Sequence, residues 1–214
     1  MSESVKRRSY DNSRREERAR ETRRSIVAAA RELFVEVGYP SATFSTIADH
    51  AKVSVQTVYS HFPDKLGLLK EVVDQAIAGD DLPVPIADRS EVAAMRTEPD
   101  PAQKLRLHAS FVATVMERAA PVDQMLRSAA PVAPGAAELW SRGARARLGG
   151  MREFATHLSE GGHLRSDLTI QQAAERLAAL INPDIYRMTV ADMNWTSDQY
   201  EEWIAEMFIV SLLP

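Results

Sequence analysis

The chain has 214 residues, 45% hydrophobic and 26% charged, a composition that suits a globular protein with a sizeable core and excludes a disordered or collagen-like chain. It has no cysteine for a disulfide framework or thiolate metal site, no apolar run near the roughly 20 residues that cross a bilayer, and no apolar segment after Lys6, Arg7 and Arg8 to complete a secretory signal. The net charge of -4 is unevenly divided: residues 1–70 hold 13 Lys/Arg against 9 Asp/Glu and the remainder 13 against 21, so a basic head that suits a polyanion precedes an acidic body that repels one.

Residues 1–20 are rich in Arg, Ser and Glu and nearly free of large apolar side chains, which predicts a flexible basic arm over 1–21. The nine basic residues up to Arg24 leave open a path along the minor groove or a solvating tail. From Arg23 onward, Ile26, Val27, Ala30, Leu33, Phe34 and Val37 fall at helical spacing, and Gly38 ends that helix. Thr43 caps a short second helix carrying Ile47, Ala48 and Ala51; Ser54 caps a third that runs to about His61 and is closed by Phe62. After Pro63, a fourth helix opens at Asp64 or Lys65 and carries Leu66, Leu69, Val72, Val73 and Ile77.

The stretch from Gly79 to Pro101, with Pro83, Pro85 and Pro99, has loop composition. Beyond it the periodicity predicts helices over about 102–120, a short piece near 122–130, a long one over 136–160, another over 170–190 that Pro183 interrupts, and a last one over 197–212 with Thr196 and Gln199 placed for a capping box. No strand is required. The fold class is therefore all-α: a head over 22–70 and a larger helical body over 71–214.

Three short helices in the head, the second and third joined by Ala51-Lys52-Val53-Ser54, are the ingredients of a helix-turn-helix. In that geometry the third helix enters the major groove. Gln56 suits bidentate pairing with adenine, Val55 and the Thr57 methyl suit a thymine methyl, and Ser54 and Tyr59 offer hydroxyls to phosphate.

The run from Thr43 to Lys65, TFSTIADHAKVSVQTVYSHFPDK, resembles the TetR family: the Ile-Ala pair, Val-Ser before the recognition helix, Tyr-x-x-Phe, and the Lys two residues after Phe-Pro fall in family positions. The resemblance implies that Val55, Gln56 and Thr57 face bases, that Thr43, Ser45, Tyr59, His61 and Lys65 meet phosphates, and that a symmetric dimer reads palindromic double-stranded DNA. One departure is Lys52, where the family usually has glycine; a left-handed backbone there carries a modest cost, and its charge offers a phosphate contact.

The body resembles the subgroup with a tetracycline-repressor-type C-terminal region through Asn182-Pro-Asp-Ile-Tyr-Arg187, Asn194-Trp195 and Tyr200-Glu-Glu-Trp-Ile204. That resemblance implies a homodimer through the last two long helices. Phe111, Val115, Met125, Trp140, Met151, Phe154 and Tyr186, at inward phases, outline a cage for an apolar or aromatic effector, with Arg147 and Asn182 as candidate polar contacts. Each apolar member is more often plain core, and Arg147 calls for a partner, usually an acidic side chain and less usually an anionic ligand. His108 and His157 read as partly buried imidazoles, and the histidines show no metal-site spacing.

The expected function is a cytoplasmic, ligand-responsive repressor with no metal and no cofactor. An enzyme is disfavoured because the chain lacks a nucleophile elbow, HExxH, P-loop or dinucleotide fingerprint. The alternative is a small-molecule binding or scaffold protein that keeps a non-functional helix-turn-helix.

Overall fold

The computed structural model describes the backbone of residues 2–214 and the side chains of residues 14–214. The chain divides into two compact units, Met1–Val73 and Asp74–Pro214, and among the described residues there is no strand.

In the first unit, α1 spans Ser2–Glu36, α2 Phe44–Ala51, α3 Val55–His61, and α4 begins at Lys65 and continues to Ala78 in the second unit. The segment expected to be a flexible arm is thus helical from Ser2 onward. It has no apolar stripe to signal a helix; instead Arg14, Glu17, Arg18, Glu21 and Arg24 recur at three- and four-residue spacing, which lets opposite charges meet along one face and supports a helix without a core. Lys6, Arg7 and Arg8 lie outside the described side chains.

Ile26, Ala30, Phe34, Ile47, Ala48, Val58, Leu68, Leu69 and Val72 are fully buried and form the core of this unit. Val37, Leu66 and Ile77, expected to face inward, are exposed, and Leu68 takes the inner position at the start of α4. The α4 stripe is 68, 69, 72, 73 and 76, which keeps the expected Leu69, Val72 and Val73 and puts Leu68 and Ala76 in place of Leu66 and Ile77. Arg23 ties the unit together: its guanidinium lies 4.2 Å over the Phe62 ring, donates to the His61 carbonyl at 3.2 Å, and pairs with Glu71 at 2.8 Å.

Lys52 ends α2 in the left-handed region, at φ 56 and ψ 41, with its N–H reaching the Ala48 and Asp49 carbonyls. Lys52→Gly removes the Cβ clash at that φ and is expected to raise stability by about 1 kcal/mol, measured as a higher urea midpoint at unchanged slope.

In the second unit, α5 is Ser90–Thr97, α6 Pro101–Ala129, α7 Pro134–Glu160, α8 Ile170–Leu180, α9 Pro183–Arg187 and α10 Ser197–Leu212. Two expectations change here. The Pro-rich stretch contains α5 and a short 3-10 turn at Ile86–Asp88, held by a bidentate Arg89–Asp80 pair at 2.8 and 2.9 Å. The two pieces expected on either side of residue 121 form one helix, α6, that runs through Pro121. Proline's fixed φ is itself helical; what it removes is one hydrogen bond to the preceding turn.

The termini follow local chemistry. Asp100 caps α6, Pro134 opens α7, and Thr169 with Gln172 and Thr196 with Gln199 form capping boxes on α8 and α10. Leu105, Leu158, Leu177, Tyr200, Ile204, Phe208 and Leu212 are fully buried and centre the core.

His108 belongs to that core rather than to its edge. It is 3% exposed, stacks on Phe154 with ring centroids 4.3 Å apart, and lies 5.4 Å from Phe208. Neither ring nitrogen has a hydrogen-bond partner, and burial pushes its pKa down to about 4. His157 reaches the Arg96 carbonyl at 2.9 Å.

Arg118 of α6 closes the end of α4. Its Nε donates to the Ala76 carbonyl at 3.3 Å and its Nη2 to the Ile77 carbonyl at 3.4 Å, carbonyls a helix terminus leaves without intrahelical partners. Gly79 follows with φ +89, and a Cβ placed there would stand 3.0 Å from the guanidinium.

Candidate nucleic-acid interface

The helix-turn-helix is set by two caps and a turn. The Thr43 hydroxyl accepts from the Thr46 N–H at 3.1 Å while Thr46 Oγ1 accepts from the Thr43 N–H at 3.0 Å, which starts α2. Ser54 Oγ accepts from the Thr57 N–H at 3.1 Å and lies 2.7 Å from Thr57 Oγ1, which starts α3. Between them, the Val53 N–H reaches the Ala48 carbonyl at 3.0 Å across the left-handed Lys52. Val58 on the inner side of α3 is fully buried, so the opposite face of that helix is turned to solvent.

That outer face carries Val55, Gln56, Tyr59 and Ser60, all exposed, with Ser45 of α2 and Lys52 of the turn also exposed. The Tyr59 ring packs edge-on against Phe44, centroids 4.8 Å apart, which leaves its phenol as the outward tip of a held ring. An α-helix with an amide, an apolar branch and a hydroxyl on one free face has what the major groove reads: a donor and acceptor pair for a base edge, a methyl contact, and a phosphate donor.

The ten residues expected at DNA do not stand alike. Ser45, Lys52, Val55, Gln56 and Tyr59 are free to face a ligand, and His61 is half-buried at the end of α3. Thr43, Ser54 and Thr57 already use their hydroxyls in the caps, so only remaining lone pairs or the Thr57 methyl are available. Lys65 is held inward: its ammonium donates to the Ala42 carbonyl at 2.6 Å and the Pro40 carbonyl at 3.3 Å and sits 4.5 Å from the Tyr39 ring, with burial lowering its pKa. Three donors on one ammonium leave room for a further acceptor, but two are committed to bracing the loop before α2.

The residues expected at an effector are spread through the second unit. Val115 and Tyr186 are in its main core, with Phe111, Met151 and Phe154 packed against it; Tyr186 meets Tyr200 edge-on at 4.8 Å, and Phe154 covers His108. Met125 is buried and Trp140 partly exposed, both outside that cluster. Asn182 has a local task, its amide oxygen accepting the Asp184 N–H at 2.9 Å to start α9. Arg147 on α7 is half-buried, and burial lowers its pKa while the charges of Asp123 and Asp184 raise it; Asp123 has no apolar periodicity or motif to single it out in the sequence.

The sequence model of the family described as "Bacterial regulatory proteins, tetR family" matches residues 26–72, the stretch that holds this interface. The chain is 47% identical over 55 residues to the uncharacterized HTH-type transcriptional regulator TtgW of Pseudomonas putida, covering 26% of this chain and 41% of that protein. It is 38% identical over 58 residues to the HTH-type transcriptional repressor BepR of Brucella suis, covering 27% and 28%. The matched stretch therefore spans less than half of either relative. Across nearly the whole chain, the fold is that of NalD, described as the secondary repressor of the MexAB-OprM multidrug efflux pump in Pseudomonas aeruginosa, at TM-score 0.68, 23% identity, and coverage of 92% of this chain and 98% of that one. Among the described residues no helix is long and apolar enough to cross a membrane.

Proposed function

We propose that this chain, which belongs to the TetR family of DNA-binding transcriptional regulators, is a cytoplasmic homodimeric repressor that leaves a palindromic operator when a small-molecule effector enters its C-terminal unit. The observation that carries the reading is the free outer face of α3, Val55, Gln56 and Tyr59, on a helix whose start and inner side are held by the Ser54 cap and buried Val58.

A dimer places two such helices in successive major grooves, one turn of DNA apart. Gln56 then supplies bidentate readout of one base pair per half-site, and Ser45, Lys52 and Tyr59 fix the register on the backbone. The effector acts through α6, whose Arg118 grips the last carbonyls of α4. A ligand that shifts α6 draws on that grip and biases the pose of α4, at the far end of which the DNA-binding unit begins.

The test is selection of bound duplexes from a random pool at two salt concentrations. The expected result is a palindrome whose binding weakens steeply with salt, because each phosphate neutralised adds about 0.9 to the slope of log K against log salt. Gln56→Ala should retain binding but relax discrimination at one position per half-site by about 1–3 kcal/mol. Unchanged sequence preference in that variant, or no enriched motif from the wild type, contradicts the assignment.

A further inference from the structure

α3, the helix that carries the proposed base contacts, has only seven residues. A helix of two turns is not stable by itself, so its pose is set by what holds its ends and its inner side. Ser54 holds the start and buried Val58 the inner side. The end is held from outside: Arg23 of α1 donates through Nη1 to the carbonyl of His61, the last residue of α3, at 3.2 Å. The same guanidinium lies 4.2 Å over the ring of Phe62, the buried residue that closes α3, and its Nη2 meets Glu71 Oε2 of α4 at 2.8 Å. Two positions further along α1, Ser25 Oγ donates to the carbonyl of Ala51, the last residue of α2, at 3.2 Å. One short stretch of α1 therefore supplies a side-chain donor to the final residue of each helix of the helix-turn-helix.

Carbonyls in the last turn of a helix have no intrahelical partner, and a cation there is favoured by the helix dipole. Arg23 does more than cap, because its three partners are the end of α3, the residue that closes it, and α4. A planar group with a fork of donors meets all three at once; the ammonium of a lysine is a point charge without the flat face or the paired donors. The consequence for readout is one of leverage. Gln56 stands about 7.5 Å along the helix from His61 at a rise of about 1.5 Å per residue, so a tilt of about 10° pivoting on the His61 end moves it by about 1.3 Å. Hydrogen bonds to a base edge tolerate a spread of about 0.5 Å. Attraction to phosphates falls off gently with distance and survives such a shift.

We propose that Arg23 is a positioning residue for sequence readout: it fixes the pose of α3 between α1 and α4 and makes operator recognition depend on a side chain that does not itself meet the duplex. The inference rests on the DNA-binding reading of α3 and adds to it a residue that lies outside both the exposed face and the helix-turn-helix motif. Glu71 orients the guanidinium from the α4 side, so its removal acts through Arg23 and not independently of it.

The experiment uses the full-length protein, the duplex selected by the wild type and an unrelated duplex of equal length, with fluorescence anisotropy read on variants of equal helix content by circular dichroism. Arg23→Met and Arg23→Lys should each weaken binding to the selected duplex by about 10-fold or more, the size of a lost base contact. Binding to the unrelated duplex should change by less than about 2-fold, since phosphates carry it. The slope of log K against log salt should be unchanged in Arg23→Met; a drop of about 0.9 per protomer makes Arg23 a phosphate contact and overturns the proposal. Glu71→Ala should weaken operator binding by itself yet add less than about 2-fold to Arg23→Met, because both act through one contact. Where Arg23→Met does not fold, Arg23→Lys carries the test together with amide exchange of the free protein. The Phe62 N–H, bonded to the Val58 carbonyl at 2.9 Å, should exchange about 10-fold faster in Arg23→Lys while the Val53 N–H of the turn keeps its rate. Equal loss on both duplexes, or unchanged exchange at Phe62, overturns the proposal. A wild type that selects no duplex sinks the DNA-binding reading and the inference with it, whereas selection of one operator with equal affinity by wild type and variants sinks the inference alone.

Discussion

Replacing Met207 with glutamate and Val210 with aspartate should convert the protein to a monomer and weaken operator binding by at least about 100-fold. On α10 the inner positions Tyr200, Ile204, Phe208 and Leu212 are fully buried within one chain. Trp203, Met207 and Val210 form a second stripe at four- and three-residue spacing that the monomer's own core leaves partly uncovered, Val210 being 69% exposed. An apolar stripe of that kind on a C-terminal helix is where a symmetry mate packs in the proposed dimer, and two acids opposite their own copies would bring four charges into one apolar contact. The effect on DNA is large because the second half-site is bound at an effective concentration set by the tether, worth about 10²–10⁴ in affinity. Both positions are peripheral to the fold, so thermal unfolding at low concentration should change little. Sedimentation gives the oligomeric state and anisotropy the affinity; a variant that remains dimeric and binds normally removes α10 from the interface.

The second large effect concerns pH. His108 is buried against Phe154 and Phe208 with both nitrogens unpartnered, so the folded protein holds it neutral and its pKa falls from an ordinary 6.5 to about 4. In the unfolded chain the imidazole takes a proton near pH 6.5. Between those values the unfolded state binds more protons than the folded one, so stability falls as pH drops from 6.5 toward 4 and is fully retained above 6.5. The interval corresponds to about 3 kcal/mol from this one residue. His108→Phe keeps a planar ring, removes two buried polar atoms without partners, and should raise stability at neutral pH by about 1–3 kcal/mol while flattening the acid limb. The comparison is made by urea unfolding of wild type and variant at pH 7.5 and 5. A parallel fall in both proteins would show that His108 is not the group responsible.

The parts of this structure that are legible in the sequence are those decided within a few residues. Thr43, Ser54 and Thr196 announce their helices because a hydroxyl three residues before an otherwise unpaired N–H is local chemistry, and Gln199 completes its box for the same reason. Gln56 and Tyr59 stand out once α3 is placed, since buried Val58 fixes the helix phase. What escapes is decided at long range or without an apolar signal. The charged half of α1 has no hydrophobic period to betray it. Pro121 looks like a break but lies at a tolerated place in a helix supported by packing on both sides. Lys65 turns inward because the loop before α2, more than 20 residues earlier, presents it two carbonyls. Arg147 announces a need for a partner, yet nothing in the spacing says that it is Asp123 and Asp184 whose charges act on it.

The three tryptophans, Trp140, Trp195 and Trp203, all fall in the C-terminal unit, and the first unit has tyrosines and phenylalanines but no tryptophan in its sequence. Intrinsic emission excited at the red edge is therefore silent about α2 and α3 and reports on the other unit alone, with Trp140 on α7 and Trp195 and Trp203 5.9 Å apart near the chain's end. The molecule comes with its own optical partition. Tryptophan emission follows one unit while the dichroism of the helical backbone follows both, so a mismatch between the two melting curves separates the unfolding of the two units without a label.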